Sequence, residues 1–310
     1  MVALESTLIT HGLPPPRNLD AARRAEAAVR AAGAVPATVA MRDGRILVGL
    51  TPDELESLGT AAGLAKVSSR DEFAAGSAAG RPAKVSTRDL AAALGRAGWS
   101  GTTVSATMIA AHRSGIRVFA TGGIGGVHRG GELSLDVSAD LAELADTPVA
   151  VVCAGPKSIL DVGRTLEVLE SSGVPVVGWG TDEVPGFFTR SSGWPTSARV
   201  DSAEEAAALL SRQWALGLGG VLFCVPLPED EALPRAEAEA AIEAALRDAD
   251  AAGIHGPAST PFVLRRVAEV TGGRSVAANL ALIEHNAGVA AEIAVALSEL
   301  LRSDGAAASG

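Results

Sequence analysis

The feature that most constrains the fold is a pair of apolar runs, residues 148–154 (PVAVVCA) and 174–180 (VPVVGWG), separated by the helical stretch SILDVGRTLEVLESSG. Valine-rich runs bounded by glycine and proline read as buried strands, and two joined by a helix form a β-α-β unit with parallel strands. Residues 2–9, 117–121 and 219–225 read as further strands of the same kind. The expected fold is therefore α/β: a mixed, largely parallel central sheet flanked by helices, an α/β/α sandwich. At 310 residues, with no linker near the middle, it reads as a single large domain over residues 1–303, with a small-residue tail, 304–310, expected to be disordered.

Local signals fill in the connections. Asn18 or Asp20 is expected to cap a helix closed by Gly33, and residues 36–50 read as a hairpin turning at Asp43-Gly44. Pro52 opens the next helix. The segment AKVSSRD, which contains Lys66, recurs as AKVSTRD, which contains Lys84, and each copy reads as a strand end followed by a capped helix. Two copies are too few for a solenoid and look like a local duplication. Residues 101–112 read as a helix with Thr102, Thr103 and Ser105 at an anion-facing start. Residues 181–195, with Arg190, read as a lid or rim. Residues 202–216 and 235–252 read as helices, and two more follow residue 260, separated by Gly272-Gly273.

The net charge of −10 and the lack of a basic stripe argue against nucleic-acid binding. Cys153 and Cys224 lie in apolar strands, as buried thiols do in a reducing compartment. No basic leader and no apolar run of about 18 residues is evident, so no membrane span and a cytoplasmic location are expected.

Residues 121–157 concentrate the groups that could carry chemistry. TGGIGG is followed by His128 and Arg129, which suits a phosphate or ribose contact better than a dinucleotide. Lys157, placed at the start of the helix after an apolar strand, is either a solvated helix-start residue or, if burial depresses its pKa, a Schiff-base nucleophile. Asp140 is an N-cap of LAELAD or a sugar-hydroxyl acceptor, and Asp136 is a candidate ligand for a hard divalent ion. Glu5, the acidic residue of the first strand, is a structural partner or an acid/base group.

Taken together, ALESTLITHG, AKVSTRDL, TTVSATM, VFATGGIGGVHRG, LDVSADLAELA, VVCAGPKSILD, GTDEVPGFFTRSSG and TPFVLRRVAEVTGGRSVAANLALIEHNA resemble the pseudouridine-5′-phosphate glycosidase family, which includes indigoidine-synthase-A-like proteins. The resemblance reaches from the first residues to about residue 295. It implies reversible cleavage of a C–C glycosidic bond between uracil and ribose 5-phosphate, with Lys157 as Schiff-base nucleophile, Glu5 as proton donor and Asp136 as manganese ligand. Lys84, Val104, Ser138, Ala139 and Asp140 match substrate-contacting positions, and His128 and Asn279 match base or sugar contacts. The family also implies a homotrimer. A C-nucleoside cannot lose its base as an N-glycoside does, because a carbanion would leave; opening the ribose and forming an iminium at C1′ supplies the electron sink. Lys84 and the glycine-turn amides would neutralise the phosphate.

Pro15, Leu133, Trp179 and Trp194 depart from the family pattern. They point to an alternative, a C-glycosynthase that couples ribose 5-phosphate to another heterocycle. A non-catalytic sugar-phosphate-binding protein is the third reading, and it requires neither Glu5 nor Lys157.

Overall fold

The computed structural model describes residues 1–64, 82–254 and 259–307. Among the described residues ten strands form one sheet in the order β4-β5-β2-β1-β6-β7-β10-β8-β9, with β3 paired to β2. The strands are β1 Val2–Leu4, β2 Pro36–Arg42, β3 Arg45–Val48, β4 Ala83–Val85, β5 Trp99–Thr102, β6 Val118–Ala120, β7 Ala150–Cys153, β8 Val176–Trp179, β9 Ala198–Val200 and β10 Val221–Cys224. From β2 through β9 along that order every pairing is parallel. The exceptions are antiparallel: β2 with β3, and β2 with β5. The α/β/α expectation therefore holds, mixed character included.

Alternation along the strands divides the core into two layers. Val2 and Leu4 face α1 (Arg17–Ala31) and the long α11 (Arg274–Ala307), whereas Ala3 faces α4 (Val104–Arg113). Phe223 fills the first layer and Phe119 the second, both fully buried. Each such ring contributes about 1.5–3 kcal/mol over its exposed state. α11 is long and apolar enough to cross a membrane by length and composition, a signal that the count of apolar runs did not register. It instead lies in the core, against α1, α8 (Ala203–Ala215), β6 and β7.

Several local expectations are corrected. β1 ends at Leu4, where Thr10 donates its amide and its hydroxyl back to the Ser6 carbonyl, and Leu8–Gly12 is a π-helical turn closed by the Leu13 amide on the Leu8 carbonyl at 3.2 Å. Asn18 and Asp20 do not cap α1. The helix begins at Arg17, and Asn18 is buried, donating to the Ile9 carbonyl at 3.0 Å. The 101–112 segment splits into the end of β5 and α4, with Thr103 at the junction. The helix after Lys157 starts only at Val162, where Asp161 accepts from the Arg164 amide at 3.0 Å; this is α7 (Val162–Ser171). The hairpin turns where expected, with Asp43 and Gly44 both at positive φ (49° and 74°). α11 continues to Ala307, into the segment expected to be disordered. Lys66 lies outside the described residues. The second copy of its repeat is the short edge strand β4, followed by a reciprocal capping box between Ser86 and Asp89.

Candidate active site

The carboxyl ends of β1, β6 and β7 open on one crevice. Glu5 follows β1, Thr121 follows β6, and the loop from Gly155 to Lys157 follows β7. The glycine-rich loop after β6 and the loop after β7 are laced together: the Lys157 amide donates to the Ile124 carbonyl at 3.0 Å, and the Ile124 amide donates to the Gly155 carbonyl at 3.2 Å. Further along, His128 bridges Leu160 and its amide donates to the Asp136 carbonyl at 3.0 Å. Lys157 therefore sits in a loop clamped to the glycine turn and is only partly exposed. Beside it, the Ser158 hydroxyl is buried without a hydrogen-bond partner among the described residues.

Glu5 accepts a hydrogen bond from the Thr121 hydroxyl. Burial is the largest influence on its carboxyl and raises its pKa; Lys157, the Thr121 bond and Lys84 pull the other way, and Asp140 adds to the rise. Lys84 belongs to this cluster too. By surface area it is exposed, yet protein crowds it enough for desolvation to be the first cause lowering its pKa, with the Lys157 charge second and Asp140, Glu5 and Asp89 opposing. Glu5, Lys84, Asp140 and Lys157, distant in sequence, thus share one electrostatic neighbourhood.

Asp140 settles how the walls are joined. It is not the N-cap, since Ser138 caps α6 (Ala139–Asp146) through a 3.2 Å bond from the Asp140 amide. Its two carboxylate oxygens accept the backbone N–H of Ser105 (3.0 Å) and of Gly125 (2.8 Å), and the residue is buried. The anion expected at the α4 N-terminus is therefore this internal carboxylate. Of the glycine-turn amides, those of Ile124, Gly125, Val127 and His128 already have protein acceptors. Val104 opens α4 and is buried, and Ala139 opens α6 and is exposed, with Asp140 spanning the two helix starts. Asn279, buried on α11, stands against Gly122, its Oδ1 3.7 Å from where a β-carbon would be.

Residues 181–195 fold into a packed rim. The Val184 amide donates to the Trp194 carbonyl at 2.8 Å, Arg190 donates to the Leu227 carbonyl, and Phe187 packs against Gly123. Two contributors escaped the sequence reading. Thr121 holds Glu5, and Asn286 holds Thr121, donating to its carbonyl at 2.9 Å. Asn286 lies seven residues after Asn279 and so on the same helical face; a polar pair at that spacing in an apolar helix was the available signal.

Asp136 is partly exposed, and no described residue hydrogen-bonds or ion-pairs with its carboxylate. Among the described residues no three His, Cys, Asp or Glu side chains cluster as a metal-binding group. A divalent ion at Asp136 would consequently keep most of its waters, which fits a hydrated manganese or magnesium-type site.

An open, mostly parallel sheet whose strand ends present a lysine and a carboxylate, Lys157 and Glu5, defines the class: an α/β protein with a lysine–carboxylate site in the crevice where such folds bind ligands. The chain belongs to the indigoidine synthase A like protein family, whose pattern matches residues 1–81 and 72–296. The two matches overlap at 72–81, between the repeated segments. The pseudouridine-5′-phosphate glycosidase of Sorangium cellulosum is 53% identical, covering 97% of this chain and 89% of its own. That of Caldanaerobacter subterraneus subsp. tengcongensis is 50% identical, with 97% and 93% covered. Among solved structures, prealnumycin C-glycosynthase in complex with ribulose 5-phosphate superposes with a TM-score of 0.84 at 40% identity, over 98% of this chain and 93% of that one. An indigoidine synthase A-like protein from Thermotoga maritima gives 0.83 at 35% identity, with 96% and 92% covered.

Proposed function

We propose that the protein is a C-glycosidase that converts pseudouridine 5′-phosphate and water reversibly to uracil and ribose 5-phosphate. The observation that carries this reading is the convergence of Glu5, just after β1, Lys84, on β4, and Lys157, in the loop after β7. A carboxyl whose pKa is raised by burial is suited to give a proton at neutral pH. Glu5 protonates the ring oxygen as the C1′–O4′ bond breaks, and the Lys157 lone pair adds to C1′. The adduct nitrogen returns a proton to the Glu5 carboxylate, and its lone pair then expels the base as C1′–C5 breaks and C5 takes that proton, leaving an iminium that water hydrolyses to release the sugar and restore the amine. Lys84 supplies positive charge to the phosphate. Asp136 would hold a hydrated manganese ion, whose part is to fix the charge of the phosphate or its hydration shell. His128 and Asn279 are assigned to the sugar or base. A homotrimer in the cytoplasm is the assembly proposed; the nearly fully exposed Leu133 and Leu135 beside Asp136 support an association surface between copies.

Borohydride reduction with ribose 5-phosphate tests the central step. The protein mass should rise by one reduced pentose phosphate, and Lys157→Ala should abolish the rise; an unchanged wild-type mass refutes the mechanism. A second reading, coupling of ribose 5-phosphate to another heterocycle, is favoured by the likeness to the C-glycosynthase. Manganese-supplemented reactions with uracil or a panel of heterocycles separate the two, since turnover of another acceptor without uracil selects the second.

A further inference from the structure

A cavity of about 20 Å³ lies behind Glu5, on the side of the sheet that α1 covers. Apolar side chains from β1, α1, β6 and α11 make most of its wall, and Glu5, Thr38 and Thr121 supply its polar groups. One water requires roughly 10–15 Å³ and two to four polar partners, and both conditions are met.

The hydrogen-bond directions around the cavity are already committed. Thr38 is buried, and its hydroxyl donates to Oε1 of Glu26 at 2.7 Å, so its oxygen can only accept from the cavity. Glu26 is itself buried, and its Oε2 is paired with the Arg30 guanidinium at 3.0 Å. On the opposite wall the Thr121 hydroxyl proton is spent on Oε1 of Glu5, leaving Oε2 for another neighbour. A guest must therefore donate to Thr38 while also meeting a carboxyl oxygen, and water does both.

We propose that one ordered water occupies this cavity and bridges Glu5 to Thr38, making Thr38 and Glu26 positioning residues for the Glu5 carboxyl. The charges that act on Glu5 from the crevice are Lys157, Asp140 and Lys84. The bridge adds an influence from behind, through Thr38, from Glu26 and its partner Arg30. Thr38→Val removes the acceptor that orients the water, leaves the carboxylate more poorly solvated and raises the Glu5 pKa. Glu26→Gln removes a negative charge and, with its one oxygen held by Arg30, turns an amide N–H to Thr38, so that the Thr38 hydroxyl points toward the cavity, which favours the carboxylate and lowers that pKa.

The inference rests on the proposed function only for its effect on turnover. An infrared titration of the Glu5 carboxyl, its band assigned by loss in Glu5→Gln, uses no substrate. The midpoint should move up in Thr38→Val and down in Glu26→Gln, each by about one pH unit, the size of one hydrogen bond to a carboxyl. Thr38→Ser, which keeps the hydroxyl, should keep the wild-type midpoint. A high-resolution crystal structure should place a water within hydrogen-bond reach of Glu5 and Thr38. A dry cavity, unmoved midpoints or shifts of the same sign in both variants overturns the proposal. Should Thr38→Val fail to fold, Glu26→Gln and the crystal structure decide. If the infrared midpoints move as expected while pseudouridine 5′-phosphate is not turned over, the functional reading fails and this one stands.

Discussion

Replacing Asp140 with asparagine should loosen the site from within. The carboxylate accepts two backbone N–H groups, at 3.0 Å from Ser105 and 2.8 Å from Gly125, and so pins the start of α4 to the glycine loop. Asparagine has one acceptor oxygen; its amide nitrogen would confront the second N–H donor. One charge-assisted bond, worth about 1.5–3 kcal/mol, is lost, and a buried N–H is left unpaired. The other bond survives in weaker, neutral form, so the expected cost is about 2–4 kcal/mol, and Asp140→Ala, which leaves both N–H groups unpaired, should cost more. Urea denaturation at pH 7 and fixed protein concentration measures both. A cost for Asp140→Asn below about 1 kcal/mol, or an alanine variant no worse than the asparagine one, would refute the clamp.

Four further outcomes follow from the same geometry. Because Glu5 titrates above its ordinary 4.5 in the fold, the native state holds its proton longer than the unfolded chain; stability should fall as pH rises from 4.5 through the folded value, and Glu5→Gln should flatten that part of the profile. Lys84 has the opposite sign: its folded pKa lies below 10.5, so stability should rise with pH between the two values, and Lys84→Met should remove that rise in alkaline melts. A β-carbon at Gly125 would overlap the Ser138 hydroxyl and come within 2.8 Å of Asp140 Oδ2, so Gly125→Ala should cost about 1–3 kcal/mol, while Gly288→Ala on α11, with open space around it, should stabilise by up to about 1 kcal/mol; a matching loss at both positions by calorimetry would contradict this. Asn286→Ala leaves the buried Thr121 carbonyl short of its 2.9 Å donor and should cost about 1–3 kcal/mol in the same assay, with no loss refuting the link from α11 to Thr121.

What was legible in the sequence was whatever local chemistry decides. Asp43-Gly44 announces its hairpin because few other residues tolerate two successive positive φ values. Valine-rich runs announce buried strands, and their connections announce parallel pairing. The run from residue 2 to 9 misled, because apolar residues in a short stretch suit a strand or a buried helical turn equally, and the decision fell to hydrogen bonds accepted by the Ser6 carbonyl. Lys157 read as a helix start because Asp161, the true cap, lies four residues beyond it. Most obscure was Asp140, whose partners lie 35 residues before it, at Ser105, and 15 before it, at Gly125. Pairings across that separation follow from how the sheet is wound, which no local pattern records.

β4 is the outermost strand on its side of the sheet, held by β5 through Ala83–Ser100, Lys84–Gly101 and Val85–Thr102, and the duplicated stretch enters the chain between α2 (Pro52–Leu64) and this strand. Extra residues spliced in there alter neither the ladder that sets the height of Lys84 nor any strand farther inward. The ammonium group is thus carried at the border of the sheet, where the length of the chain leading in has no bearing on the rungs that hold it.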